Sequence, residues 1–213
     1  SFSVSATPPY SLWDGKDYEN MSDNDESKFK FIEYHKWKFK AKIFSPLAPM
    51  AIKRTPVLMT RVEYGFLGSY NKHKRSPFET FYMGGDGMSG YSSTYATETI
   101  GLRGYENGSI AGNGGYNSYG YAYSRLAMEL RYPFLLEPSS TIYGLVFAEA
   151  GNAWRDLKSF NPFDLKRSAG VGVRIFLPMI GLMGIDWAYG FDKINGSSRY
   201  SGSQFHFILG QEF

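Results

Sequence analysis

The residue types that carry covalent chemistry are few in this chain, and they are scattered. His35, His73 and His206 fall on separate stretches, and no Ser-His-acid set can be assembled around any of them. Cysteine is absent, which removes thiolate nucleophiles, disulfides and thiolate metal sites together. Gly84-Gly85-Asp86-Gly87 lacks the Lys-Ser/Thr pair and the following helix of a phosphate loop. Asp14, Asp17, Asp23, Asp25 and Glu26 crowd one polar segment, but their spacing is not that of an EF-hand, so solvation is their expected role. No enzyme, cofactor or metal is therefore expected. What remains is charge set out at regular intervals. Lys36, Lys38, Lys40 and Lys42 alternate along one stretch, and Arg125, Glu129 and Glu149 recur on single faces of two others.

The elements that hold these charges read as strands. Period-two alternation runs through most of the chain and helical period almost nowhere. Residues 168–177 set Ala169, Val171, Val173, Ile175 and Leu177 against Ser168, Gly170, Gly172 and Arg174. Next, Met183, Ile185, Trp187, Tyr189 and Phe191 oppose Gly184, Asp186, Ala188 and Gly190. The last stretch sets Phe205, Phe207, Leu209 and Phe213 against Gln204, His206, Gly210 and Glu212. Residues 29–44 place Trp37, Phe39, Ala41 and Ile43 opposite the four lysines, which are expected to face a solvated lumen. Residues 57–70, 119–132 and 141–151, with an opening segment at 2–7, bring the count to about eight strands.

The connections alternate in length. Long polar segments are expected at 11–27, 71–118, 152–166 and 192–203, and shorter ones at 45–56, 133–140 and 178–181. In an antiparallel meander, odd and even connections lie at opposite ends, so long loops gather at one rim and short turns at the other. Composition agrees: aromatics make up 18% of the chain and glycine contributes 24 residues, a mixture suited to pleated surfaces and turns. A net charge of +3 without a basic block gives nucleic-acid binding no electrostatic support. No run of about 18 apolar residues exists to form a membrane helix. A soluble sandwich or lipocalin-like barrel would also alternate, but it would bury its apolar face in a close-packed core. Here that face is studded with Trp, Tyr and Phe, and the opposite face carries Gly, Lys, Arg and Glu. The expected fold class is all-β, an antiparallel transmembrane β-barrel. Ser1-Phe2-Ser3-Val4-Ser5 is not a secretory leader, so the chain is expected to be a piece of a longer precursor.

Three segments carry a family resemblance. The third connection contains Pro77-Phe78-Glu79-Thr80-Phe81-Tyr82-Met83-Gly84-Gly85 and then Gly101-Leu102-Arg103-Gly104-Tyr105. This resembles the inward-folded loop of BamA-type barrels of the bacterial surface antigen superfamily, with residues 86–100 inserted between its halves. Residues 144–154, ending Glu149-Ala150-Gly151-Asn152-Ala153-Trp154, resemble a family strand that often has Asp at the Glu149 position. The closing Phe205-His206-Phe207-Ile208-Leu209-Gly210-Gln211-Glu212-Phe213 resembles the terminal β-signal.

The resemblance implies the last eight or so strands of a sixteen-strand barrel across residues 1–213, with a loop at about 71–118 folded into the lumen. It implies that the guanidinium of Arg103, in the signature Leu102, Arg103, Gly104 and Tyr105, meets acidic residues of the inner wall, at positions matching Glu129 and Glu149. It implies that the last strand, with Phe205, Phe207, Leu209, Gly210 and Phe213, borders a lateral seam where other barrels are folded and inserted into the outer membrane of a Gram-negative bacterium. Expected partners are outer-membrane lipids, unfolded barrel substrates and, through absent periplasmic domains, assembly lipoproteins. A superfamily secretion or translocation pore and a passive porin are the alternatives. Two free sheet edges would be costly to leave exposed, so closure or dimerisation of the fragment is expected.

Overall fold

In the computed structural model, the structure describes residues 1–22, 26–49, 54–87, 98–110, 119–194 and 197–210. Ten strands follow one another: β1 (Phe2–Ala6), β2 (His35–Pro46), β3 (Val57–Gly68), β4 (Phe81–Met83), β5 (Glu98–Ile100), β6 (Ala122–Glu137), β7 (Ser140–Trp154), β8 (Lys166–Leu177), β9 (Gly181–Lys193) and β10 (Tyr200–Leu209). Eight form one antiparallel meander in the order β1-β2-β3-β6-β7-β8-β9-β10, and β4 pairs with β5 as a separate parallel ribbon. Among the described residues no ladder joins β1 to β10, so the expected closure is not seen.

The sheet is apolar outside and ionic inside. Trp37, Phe39, Ile43, Met128, Leu130, Val146, Val171, Val173, Ile185, Trp187, Phe205, Phe207 and Leu209 are all exposed. Lys36, Arg61, Glu63, Arg125, Glu129, Glu149, Arg174 and Asp186 are all buried. In water this arrangement would be unfavourable on both faces, since burial normally favours apolar side chains. In a bilayer the outer face meets hydrocarbon, and every inner strand has its backbone groups paired by its neighbours. Val171, near the middle of β8 and half exposed, tests this orientation. Val171→Lys is expected to weaken folding into liposomes by about 2–4 kcal/mol. The urea midpoint of the Val171→Lys protein against Val171→Ala measures it.

Four boundaries differ from the sequence reading, each for a local reason. Residues 29–34 are not strand: Glu33 turns back to accept from Ser11 N at 2.8 Å and lies 3.9 Å from Lys74 Nζ. The expected turn at 133–140 is instead strand as far as Glu137. Pro133 is tolerated because β3 pairs no further than Val57 with Arg131, leaving β7 the sole neighbour, and the register shifts between Pro133 and Leu135. The connection expected at 192–203 shrinks to residues 194–199, since β9 and β10 continue past a bulge between Tyr200 and Gly202. Gly210 lies beyond β10, with φ +70°. Phe213 lies outside the described residues.

The connection between β3 and β6 turns inward. Leu67, Phe81, Met83, Ile100, Leu102, Tyr105, Ile110, Tyr123 and Ala153 form a buried apolar cluster, made largely by this loop. Phe81 and Gly120 exchange backbone hydrogen bonds of 2.9 and 2.8 Å, and Gly84 N donates to Ile100 O at 3.0 Å. The loop touches Lys36 on β2 and reaches His206 on β10, so the sheet curves around it.

Candidate functional site

Arg103 is at the tip of this loop and is wholly buried. Its backbone N donates to Glu149 Oε2 at 2.9 Å, and its Nε and Nη2 donate to Glu149 Oε1 at 3.2 and 2.7 Å. Nη2 also reaches Glu129 Oε1 at 2.5 Å, and Nη1 reaches Asp186 Oδ2 at 2.9 Å. The guanidinium stacks 3.5 Å over the Phe147 ring. A planar fork of donors suits several carboxylates at once, and each charge-assisted bond is stronger than a neutral one. Burial disfavours the charged form of Arg103, but Glu149, Glu129 and Asp186 outweigh it, and the guanidinium is held above its ordinary pKa.

The wall supplies its own counter-charges. Arg125 Nη2 donates to Glu149 Oε1 at 2.8 Å. Arg131 donates from Nε and Nη2 to Glu129 Oε2 at 2.9 and 2.7 Å. Arg174 binds Asp186 through two bonds of 2.5 and 2.7 Å. Strand register explains the convergence. Glu149 pairs with Ala127 on one side and Ser168 on the other, while Asp186 pairs with Gly172 and His206. Small residues between the charges leave room for the loop tip.

Gly104 occupies that room. Its φ is +86°, and a Cβ there would lie 2.9 Å from Ser168 Cβ and 3.0 Å from Gly190 N. Gly190 is needed for the same approach, since its own Cβ would stand 2.4 Å from Gly104 O. Gly104 N donates to His206 Nε2 at 2.8 Å, and Ser201 Oγ donates to Gly104 O at 2.6 Å. Tyr105 OH donates to Arg167 O at 2.7 Å, and burial pushes its pKa up to about 12. His206→Ala leaves the Gly104 N–H without its acceptor in a buried place, and is expected to cost about 1–3 kcal/mol. Chemical denaturation of the folded barrel measures it, and a protein as stable as the parent would show that this bond contributes nothing.

The structure thus brings Leu102, Arg103, Gly104 and Tyr105 together with Glu129 and Glu149. It does not bring Phe205, Phe207 or Leu209 to the cluster, because they face outward on β10. Asp186, Arg174 and His206 belong to it although sequence reasoning named none of them as a partner of the loop. Their polar-face placement was the available signal. Lys36 is not solvated as expected: its Nζ lies 3.0 Å from Glu98 and 3.1 Å from Glu79, above the Phe81 ring, and ties the loop to β2. Lys38 Nζ adds a second bond to Glu98 at 3.0 Å. Of the crowded acids, Asp14 accepts from Tyr18 and Asp17 from Asn20. Asp23 and Asp25 lie outside the described residues.

An antiparallel meander with an apolar exterior, an ionic interior and a loop locked within it defines a transmembrane β-barrel of the outer-membrane type. The Omp85 superfamily domain matches residues 26–213, and the chain belongs to that superfamily. In fold it is similar to the crystal structure of BamA from Haemophilus ducreyi lacking POTRA domains 1-3, with a TM-score of 0.56 and 20% identity. The match covers 82% of this chain and 34% of that one, so the chain spans about a third of that structure's length. A search of curated proteins gave no match.

Proposed function

We propose that this chain is the carboxy-terminal part of an outer-membrane barrel that folds other barrel proteins and inserts them into the outer membrane, without catalysing any covalent step. The observation that carries this reading is the loop itself. Its tip is committed to the lumen by Arg103, Glu129, Glu149 and Asp186, which obstructs the passage a diffusion pore would need. On this reading the outer edge of β10, ten residues long against sixteen for β6, borders the seam in the full-length barrel. An unpaired edge is a template for a new strand, and a substrate strand adds there by β-augmentation. Outer-membrane lipids would bathe the aromatic exterior, and lipoprotein partners would dock on periplasmic domains of the full-length protein.

Depletion of the parent protein in its own cell, followed by quantification of all folded outer-membrane barrels, tests the reading. A general fall is expected. Loss of one exported protein with the other barrels intact would replace assembly by a dedicated secretion pore. A large, steady single-channel conductance would replace it by a porin.

A further inference from the structure

The connections at residues 7–34, 69–121, 155–165 and 194–199 lie at one rim of the meander, and those at 47–56, 138–139 and 178–180 at the other. The first set includes the longest, and in outer-membrane barrels the long loops face the cell exterior. At that rim, the segments around residues 18–29, 72–78 and 119–121 enclose a cavity of about 840 Å³, a size typical of small-ligand sites. It shares no residue with the Arg103 cluster.

The cavity combines rings with cations. Tyr18, Phe29, Phe78, Tyr119 and Tyr121 supply aromatic surface, and Lys28, Lys72, His73 and Arg75 supply the basic groups. Lys28 Nζ lies 6.0 Å from the centre of the Phe29 ring, and the Arg75 guanidinium 5.6 Å from that of Tyr121. Among the described residues, Glu19 is the one acid of the lining, and it stands 3.8 Å from His73 Nε2 with its side chain 67% exposed. The carboxylates around the cavity are already engaged. Glu33 accepts from Ser11 N and lies 3.9 Å from Lys74 Nζ, Asp14 accepts from Tyr18, Asp17 accepts from Asn20, and Asp156 lies 3.3 Å from Arg75. Lys72 has no ion-pair partner among the described residues. The three segments are tied to one another: Lys74 Nζ donates to Tyr18 OH at 3.4 Å, and Tyr121 OH donates to Ser76 O at 3.0 Å. A site held ready in this way spends less free energy on ordering when a ligand arrives.

We propose that this cavity binds an anionic sugar at the cell surface, its ring packed on the aromatic walls and its carboxylate or phosphate held by Lys72 and Arg75. A pyranose has apolar C–H faces that suit aromatic rings, and guanidinium and ammonium groups are matched to carboxylate and phosphate. The Arg75–Asp156 pair is exposed on both sides, so a ligand anion displaces it at little cost. A peptide finds no edge to extend here, because no strand of the sheet lines the cavity. A glycolipid headgroup of the outer leaflet and a free acidic saccharide offer the same chemistry. The inference rests on the outer-membrane placement of the barrel and not on what the barrel assembles.

The test is calorimetric titration of the full-length protein, in phosphatidylcholine nanodiscs, with tetragalacturonate, maltotetraose and inorganic phosphate. Tetragalacturonate is expected to bind, and the neutral sugar and the bare ion to bind about tenfold more weakly or not at all. Lys72 and Arg75 are both exposed, so their replacement leaves the fold intact. Lys72→Ala, Arg75→Ala and Tyr119→Ala are each expected to weaken tetragalacturonate about tenfold. Lys158→Ala, on the same rim but outside the cavity, is expected to change nothing. A Lys158→Ala loss as large as that of Lys72→Ala would overturn the site in favour of general charge attraction. Phosphate binding as tightly as tetragalacturonate, with Tyr119→Ala silent, would overturn the sugar. A second arm weighs the lipopolysaccharide that co-elutes with the detergent-solubilised protein. Less of it on the Lys72→Ala/Arg75→Ala double variant assigns the sugar to an outer-leaflet glycolipid. Equal amounts, with tetragalacturonate bound, assign it to a free saccharide. Equal amounts with no tetragalacturonate binding would overturn the proposal.

Discussion

Glu149→Ala is expected to be the most damaging single substitution in the barrel, costing about 3–5 kcal/mol of stability. Glu149 accepts three bonds from the loop and one from the wall: Arg103 through its backbone N, Nε and Nη2, and Arg125 through Nη2. Its removal takes a carboxylate from two buried guanidinium groups at once and frees a backbone N–H. Glu129 and Asp186 would still hold part of Arg103, while Arg125 would lie 3.9 Å from Glu63. Glu149→Gln preserves the volume and two hydrogen-bonding atoms, so an intermediate loss is expected, with Glu149→Asp closest to the parent. Urea midpoints of the folded barrels rank the series. A Glu149→Ala protein as stable as the parent would mean that the cluster contributes nothing net, as some buried ion pairs do not.

Gly104→Ala is expected to expel the loop tip while leaving the wall intact. The left-handed backbone alone costs a residue with a Cβ about 1–2 kcal/mol. The larger obstacle is contact. The new methyl would meet Ser168 Cβ and the backbone of Tyr189 and Gly190, and backbone in a paired strand cannot move aside. Limited proteolysis of the loop in liposomes should rise sharply, while the heat-modifiable mobility that marks a folded barrel persists. Unchanged protease resistance would show that the tip can seat with a different turn. If the assembly reading is right, Gly104→Ala should also lower the yield of other folded barrels in the cell.

Part of this was legible in the sequence, and the division follows range. The exterior was readable because a strand with one apolar face alternates with period two, as Val171, Val173 and Ile175 do on β8 and Ile185, Trp187 and Tyr189 on β9. The signature around Arg103 was readable through its resemblance to a known loop, which also pointed to Glu129 and Glu149. Asp186 and His206 could be placed on the polar face, but their meeting with the loop depends on sheet curvature and on the registers linking β7 to β10. These are long-range quantities that no local pattern encodes. Residues 29–34 misled for the opposite reason: Phe29 and Phe31 alternate with Lys30 like a strand, yet Glu33 is drawn into the cluster with Ser11 and Lys74. The lysine row was read for its period alone, so the partners of Lys36, Glu79 and Glu98, stayed hidden inside the loop.

The loop leaves the wall at Leu67 and returns at Tyr121, and Leu67 N donates to Tyr121 O at 2.7 Å. Its two ends are thus joined at one point, in register with the β3–β6 ladder that begins at Phe66 and Ala122. The conformational entropy of closing it is therefore settled by wall pairing, before any tip contact forms. Further residues within it lengthen a tether whose ends are already fixed, and each doubling of length adds only about 0.6 kcal/mol. The stretch between Gly87 and Glu98 can for this reason vary in length and composition without disturbing the strands. The wall and its plug are open to separate evolutionary change away from the points where Arg103, Gly104, Tyr105, the buried apolar cluster and the lysine anchor meet the sheet.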